Sequence, residues 1–189
     1  MKRKTIFLIL IVSLAFFPAL TKESPKTLLS RLPDRIGVYE KVDITEYPEK
    51  ELGASINYVS PGVSVVSLYL YDQGVRKIPD GVDSQLIIES KNGAKNDIID
   101  INKTGPAYRN LTLESDRIAL LEIGKRTLVM FYISYIGEIR IEANESVPCY
   151  TEIYIAGYKN YICKVRITRA RDTSAIDTRN FVASLLSYL

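Results

Sequence analysis

The sequence predicts an α+β fold, one antiparallel sheet with helices packed on it as an αβα-type sandwich. Three observations carry that expectation. Two runs, Val63–Tyr71 and Thr127–Tyr135, are apolar at odd and even positions alike. Successive strand side chains point to opposite faces, so such runs read as central strands covered on both sides. The remaining strand-like segments are joined by short turns, which implies antiparallel pairing. The helical stripes are grouped at 83–101 and 174–188 instead of alternating with strands, which separates α+β from α/β. These two helices are the available cover for the sheet.

The chain has 189 residues and opens on Lys2-Arg-Lys4, followed by an apolar run from Ile6 to Leu20. The run is shorter than the roughly 20 residues that span a bilayer, so residues 1–21 read as a secretory signal peptide. An uncleaved anchor is the alternative, because Ala19-Leu-Thr21 only approximates a cleavage site. Residues 22–189 then form a single α+β domain. Ser24-Pro25 before Leu28, Leu29 and Leu32 predicts a short capped helix stopped by Pro33. Val38, Val42 and Ile44 alternate with Lys41, Asp43 and Thr45, predicting a peripheral strand. Ala54–Ser60 and Val63–Tyr71 form a hairpin across Ser60-Pro-Gly62. After turns at Asp72-Gln-Gly74 and Ile78–Gly81, a helix starts at Asp83 or Ser84 and reaches Ile101, with a bend or break at Asn92-Gly93. Tyr108–Leu113, Arg117–Ile123, Thr127–Tyr135 and Glu138–Glu142 read as separate strands. Glu152–Ala156 and Tyr161–Arg169 form a hairpin across 157–160, and a final helix begins near Thr173 or Ser174.

Composition excludes several classes. Lys and Arg number 25 against 22 acids, but Lys2, Arg3 and Lys4 leave with the signal and no acid does. The remaining chain balances at 22 of each, a poor electrostatic match for nucleic acid. The absence of His removes Ser-His-Asp and Cys-His catalysis and most catalytic zinc sites. There is no Gly-rich phosphate loop, and no cofactor is implied.

The candidate chemistry is sparse. Cys149 and Cys163 are the only thiols, and an exported chain permits a disulfide. In a hairpin centred on 157–160, Cys163 faces about Tyr154 and Cys149 faces about Thr168, which separates them by about 17 Å. A bridge then requires a bend at Val147-Pro148, and Cys163 is otherwise a small core residue. Asp80-Gly-Val-Asp83 could touch a cation but lacks the calcium-loop pattern; a solvated turn and helix cap is the plainer reading. The strand tyrosines could line a groove, or simply express strand propensity. Asn102, Asn110 and Asn144 open N-x-S/T acceptor patterns. The candidate binding surface is Tyr71, Asp72, Asp80 and Asp83, where the central strand and the following turn leave the sheet.

Val63–Gly74 entering a helix, the hairpin ending in Tyr161-Ile-Cys-Lys-Val-Arg-Ile-Thr168 and the terminal helix together resemble the PsbP-like group of α+β proteins. The chain is also similar to small exported bacterial proteins with no assigned activity. The resemblance implies an accessory or binding role and carries over no residue. The leading expectation is an exported, periplasmic or secreted, non-enzymatic protein that binds a partner protein or envelope component, touching membrane only through an uncleaved N-terminal segment. The alternatives are a small-molecule or lipid carrier, which needs an apolar cavity of about 300 Å³ or more, and a His-free hydrolase.

Overall fold

A computed structural model describes residues 22–61, 64–105, 107–142, 145–171 and 178–189. The signal-like stretch 1–21, Gly62-Val63, Asn144 and the expected start of the last helix at 173–174 lie outside them. The chain lays down helix α1 (Pro25–Ser30), β1 (Arg35–Ile36), β2 (Tyr39–Glu46), β3 (Ala54–Ser60), β4 (Ser64–Tyr71), α2 (Gln85–Thr104), β5 (Tyr108–Ile123), β6 (Arg126–Glu142), β7 (Glu145–Tyr158), β8 (Tyr161–Ala170) and α3 (Thr178–Ser187).

All eight strands join one antiparallel sheet in the order β1-β2-β3-β4-β8-β7-β6-β5. Each half of the chain is a four-strand meander, and the two meet in the middle where β4 pairs with β8 along Ser64–Tyr71. The connection from β4 carries the chain across the sheet, through residues 72–84 and α2, to the far edge at β5.

The αβα sandwich is corrected by this arrangement. Strand accounts for 53% of the described structure and helix for 25%, so one sheet dominates and the three helices cover only parts of it. The reason is length. β6 has 17 residues, about 56 Å of strand, whereas α2 has 20 residues, about 30 Å of helix, and α3 only 10. The expected breaks in the second half are absent. Glu114–Asp116 and Ile136-Gly137 separate the expected strands, but β5 and β6 run through them, with register shifts at Arg109/Thr112 and Leu113/Ser115. Gly137 permits the first of these, since a Cβ there would sit 2.8 Å from the Arg109 carbonyl oxygen. The run Thr127–Tyr135 is next to the sheet edge, not central. α2 also passes Asn92-Gly93 without interruption.

Other elements form as read. The Ser24 hydroxyl caps α1 by accepting from Thr27 N at 3.1 Å, and Ser84 caps α2. β3 and β4 form the expected hairpin.

The two sheet faces differ in cover. One takes α1 and α3 over a continuous core that includes Ile56, Leu68, Val165 and Ile167 with Leu29, Val182 and Leu185, all at 0% exposure. On the other, α2 presses Ile87, Ala94 and Ile98 toward the sheet, and Lys91 and Lys95 clamp Asp116 of β5 at 2.5 and 2.8 Å. Burial alone would raise the Asp116 carboxyl, but those two ammonium groups hold it below the usual range. Among the described residues, no α-helix lies over the β2–β4 part of this second face. Val59 and Val65, directly paired across β3 and β4, are 38% and 42% exposed. The expectation that Val63–Tyr71 is covered on both faces fails here.

Burial also sets the response to alkali. It pushes the Tyr58, Tyr71 and Tyr161 hydroxyls up to about 12, and the Cys149 and Cys163 thiols to about 11 and 12. These groups are neutral in the fold and ionise earlier when unfolded. Their contribution is therefore complete below about pH 8.5–10, the unfolded range, and is lost as pH rises toward 12. Lys164, whose pKa burial lowers, works in the opposite direction but is a single group. With no His to titrate, melting temperature should stay level between about pH 6 and 8.5 and fall steeply beyond about 10. A decline already under way near neutrality in a pH series of thermal melts would contradict this.

Candidate functional site

The uncovered face of β4 and β8 carries a groove. Antiparallel register sets Tyr71, Tyr69, Ser67 and Val65 of β4 beside Ile162, Lys164, Arg166 and Thr168 of β8, all on that face. One wall is α2, through Ala94, Asp97 and Ile98, and the other is Tyr47 and Leu52 from the crossing after β2.

Three hollows make up the groove. The first, about 220 Å³, is lined by Tyr47, Leu52, Tyr69, Tyr71 and Lys164. The second, about 180 Å³, lies between Val65, Tyr69, Tyr108, Ile139 and Arg166. A small one of about 40 Å³ under α2 joins them, lined by Tyr69, Asp97, Lys164 and Arg166 among others. Tyr69 borders all three.

The groove holds positive charge. Lys164 Nζ stands 4.8 Å from the Tyr69 ring centre and 5.9 Å from that of Tyr71, with Asp97 4.0 Å away. Burial lowers the Lys164 pKa, Asp97 partly restores it, and Arg166 lowers it further. The Asp97 side chain is 65% exposed, so solvent weakens its hold. Two positions along β8, the Arg166 guanidinium lies 5.2 Å from the Tyr108 ring centre, and Tyr108 is fixed by a 3.1 Å bond between its hydroxyl and that of Thr168. Arg166 Nε and Nη2 are buried and make no hydrogen bond. Buried guanidinium groups are normally paired, because each unsatisfied donor costs about 1–3 kcal/mol.

Of the surface predicted from sequence, only Tyr71 borders the groove. Asp72 is taken up by Lys22 at 2.7 Å and by the Gly74 amide at 3.0 Å. Asp80 accepts from the Lys159 amide at 2.9 Å and so pins the 72–84 segment to the β7–β8 turn. Asp83 is exposed just ahead of the Ser84 cap. Among the described residues, no three His, Cys, Asp or Glu cluster as metal ligands. The possible disulfide is not formed, and the expected hairpin register shifts. β7 and β8 are joined by a two-residue turn at Lys159-Asn160, both with positive φ, which pairs Cys163 with Ala156 and Cys149 with Ala170. The thiols are free, on opposite faces and about 23 Å apart along the sheet. Their raised pKa values leave almost no thiolate near neutrality.

In the sequence, Lys164, Arg166 and Thr168 alternate with Cys163, Val165 and Ile167, which places the two cations on the polar side of a strand. The signal was present, because a strand paired at the sheet centre that alternates Lys and Arg with apolar residues must leave one face open or give it a counter-charge. Chemically, the groove offers two cations, aromatic walls and an aliphatic floor, which is a binding surface for an anionic, partly apolar group. A scan against protein-family models finds no match to this chain, and a search of curated proteins finds none.

Proposed function

We propose that this chain is an exported, non-enzymatic binding protein whose partner, a protein or envelope component, lies across the open half of the sheet. One observation carries the reading: Val59 and Val65, cross-strand partners on inner strands beside the β3–β4 turn, are more than a third exposed. The floor continues from them into the tyrosine-lined groove. An uncovered apolar patch of sheet with polar surroundings marks an interaction surface. The carrier reading is weaker on geometry. The apolar cavity beside Tyr71 is about 220 Å³, and the larger hollow of about 440 Å³ lies at the sheet corner between charged Arg35 and Glu40.

The test is photo-crosslinking in the producing cell. A crosslinking residue at position 65 should give a discrete adduct, and one at Ile88, exposed on α2, should not. Val59→Glu should abolish the adduct from 65. Equal labelling from both positions, or none from 65, would remove the proposal.

A further inference from the structure

We infer that Arg166 and Lys164 form a carboxylate receptor, and that the ligand is an acidic, aliphatic segment of a partner chain lying over β3, β4 and β8. This rests on reading the open sheet face as the ligand-binding one and names what that face recognises. Three observations point to it. Arg166 has two buried donors with no protein acceptor and borders both the second hollow and the small one. Lys164 borders the small hollow as well, so two cations face it against the single carboxylate of Asp97. Of the other acids on this face, Asp116 is already held by Lys91 and Lys95, and Asp43, three strands away on β2, accepts from Asn57 and Thr45.

The ligand class follows from charge and shape. Two cations against one carboxylate leave one net positive charge, which a monoanion balances. A planar guanidinium fork matches a carboxylate in bidentate fashion. Val65 borders the same hollow as Arg166 and pairs with Val59 across the strands, so an aliphatic neighbour of the carboxylate lands on valine. The segment is extended, because the floor is a flat run of strands and not a closed pocket.

The experiment follows the Arg Nε–Hε resonances of the isolated protein by NMR during titration with acetate, isovalerate and inorganic phosphate. The Arg166 resonance should shift saturably with both carboxylates. Isovalerate should bind at least about fivefold tighter than acetate, since its extra carbons are buried against Val65. Val65→Ser should remove that advantage and leave acetate unchanged. Arg166→Lys should weaken binding about tenfold or more, as expected for loss of the bidentate fork. Arg166→Met should abolish binding and raise the urea midpoint, because an unpaired buried cation is gone. Lys125→Gln, at the exposed β5–β6 turn, should change nothing.

No saturable Arg166 shift with either carboxylate overturns the site. Tighter binding of phosphate than of isovalerate overturns the carboxylate assignment. A lowered midpoint in Arg166→Met with carboxylate affinity retained would make Arg166 structural. These readouts need no partner, so they can succeed where crosslinking from position 65 fails, and the reverse.

Discussion

Replacing Glu152 with alanine is expected to cost about 3–5 kcal/mol of stability, the range for removing one member of a buried ion pair. Glu152 is 4% exposed on the face that carries α3. Its Oε2 accepts from Arg169 Nε at 3.1 Å, and its Oε1 accepts from the Tyr132 and Thr178 hydroxyls, each at 2.9 Å. The Thr178 hydroxyl is in turn 3.2 Å from that of Tyr154. One carboxylate thus ties β6, β7 and β8 to the start of α3. Its loss leaves the Arg169 guanidinium, 12% exposed, without its counter-charge among the described residues. Burial raises the Tyr132 pKa first, and the Glu152 carboxylate raises it further, so the phenol stays a donor through the physiological range. Glu152→Met combined with Arg169→Met should recover much of the loss, because an apolar pair needs no desolvation of charge. Urea denaturation decides it. A loss below about 1 kcal/mol for Glu152→Ala would mean that water or rearranged neighbours replace the carboxylate.

Arg169 and Arg166 show why the site was harder to read than the fold. Both occupy the same strand, and the sequence marks neither as special. One meets Glu152 on the covered face, and Nε and Nη2 of the other meet no acceptor on the open face. The difference comes from pairings distant in sequence, β4 with β8 and β7 with β8, that periodicity does not encode. Local signals did much better. Ser24-Pro25 and Ser84 announced their helices through capping chemistry, and the strand-turn-strand pattern at 54–71 announced its hairpin.

The failures share a cause as well. Polar Glu114–Asp116 interrupts an apolar pattern as a turn would, but the Asp116 carboxylate is held by Lys91 and Lys95 of α2, so the strand continues. Lys159-Asn160 replaced a four-residue turn with a two-residue one, which moved the Cys163 partner from Tyr154 to Ala156. A two-residue change in loop length shifts register without changing which face a side chain occupies. The expected cover of Val63–Tyr71 failed because apolar content on both faces of a strand records what can be buried, not which helix is long enough to do so. The same mismatch between one large sheet and three modest helices leaves the groove open.

Gly157→Ala should cost roughly 2–4 kcal/mol, combining overpacking with the loss of two backbone hydrogen bonds. A Cβ at position 157 would stand 1.9 Å from the Pro79 carbonyl oxygen, nearer than any atoms can approach without backbone movement. Gly157 and Gly81 exchange backbone bonds of 2.8 and 2.9 Å, which hold the 72–84 segment against β7. Asn160 adds two more, accepting from the Ile78 amide at 2.7 Å and donating to the Arg76 carbonyl at 3.0 Å. Displacing the segment should therefore raise amide exchange at Gly81 and Lys159 before the rest of the sheet. It should also loosen the chain just beyond Tyr71, at one end of the groove. Gly93→Ala supplies the contrast. That position lies inside α2 with open space where a Cβ would go, so alanine should stabilise by about 0.5–1 kcal/mol. Opposite signs for two glycine-to-alanine changes would separate a contact that requires glycine from one that merely tolerates it. Were Gly157→Ala neutral in stability and in exchange at Gly81, the Gly81–Gly157 bonds could not be what fixes the 72–84 segment against β7, and the chain beyond Tyr71 would have to be held by other contacts.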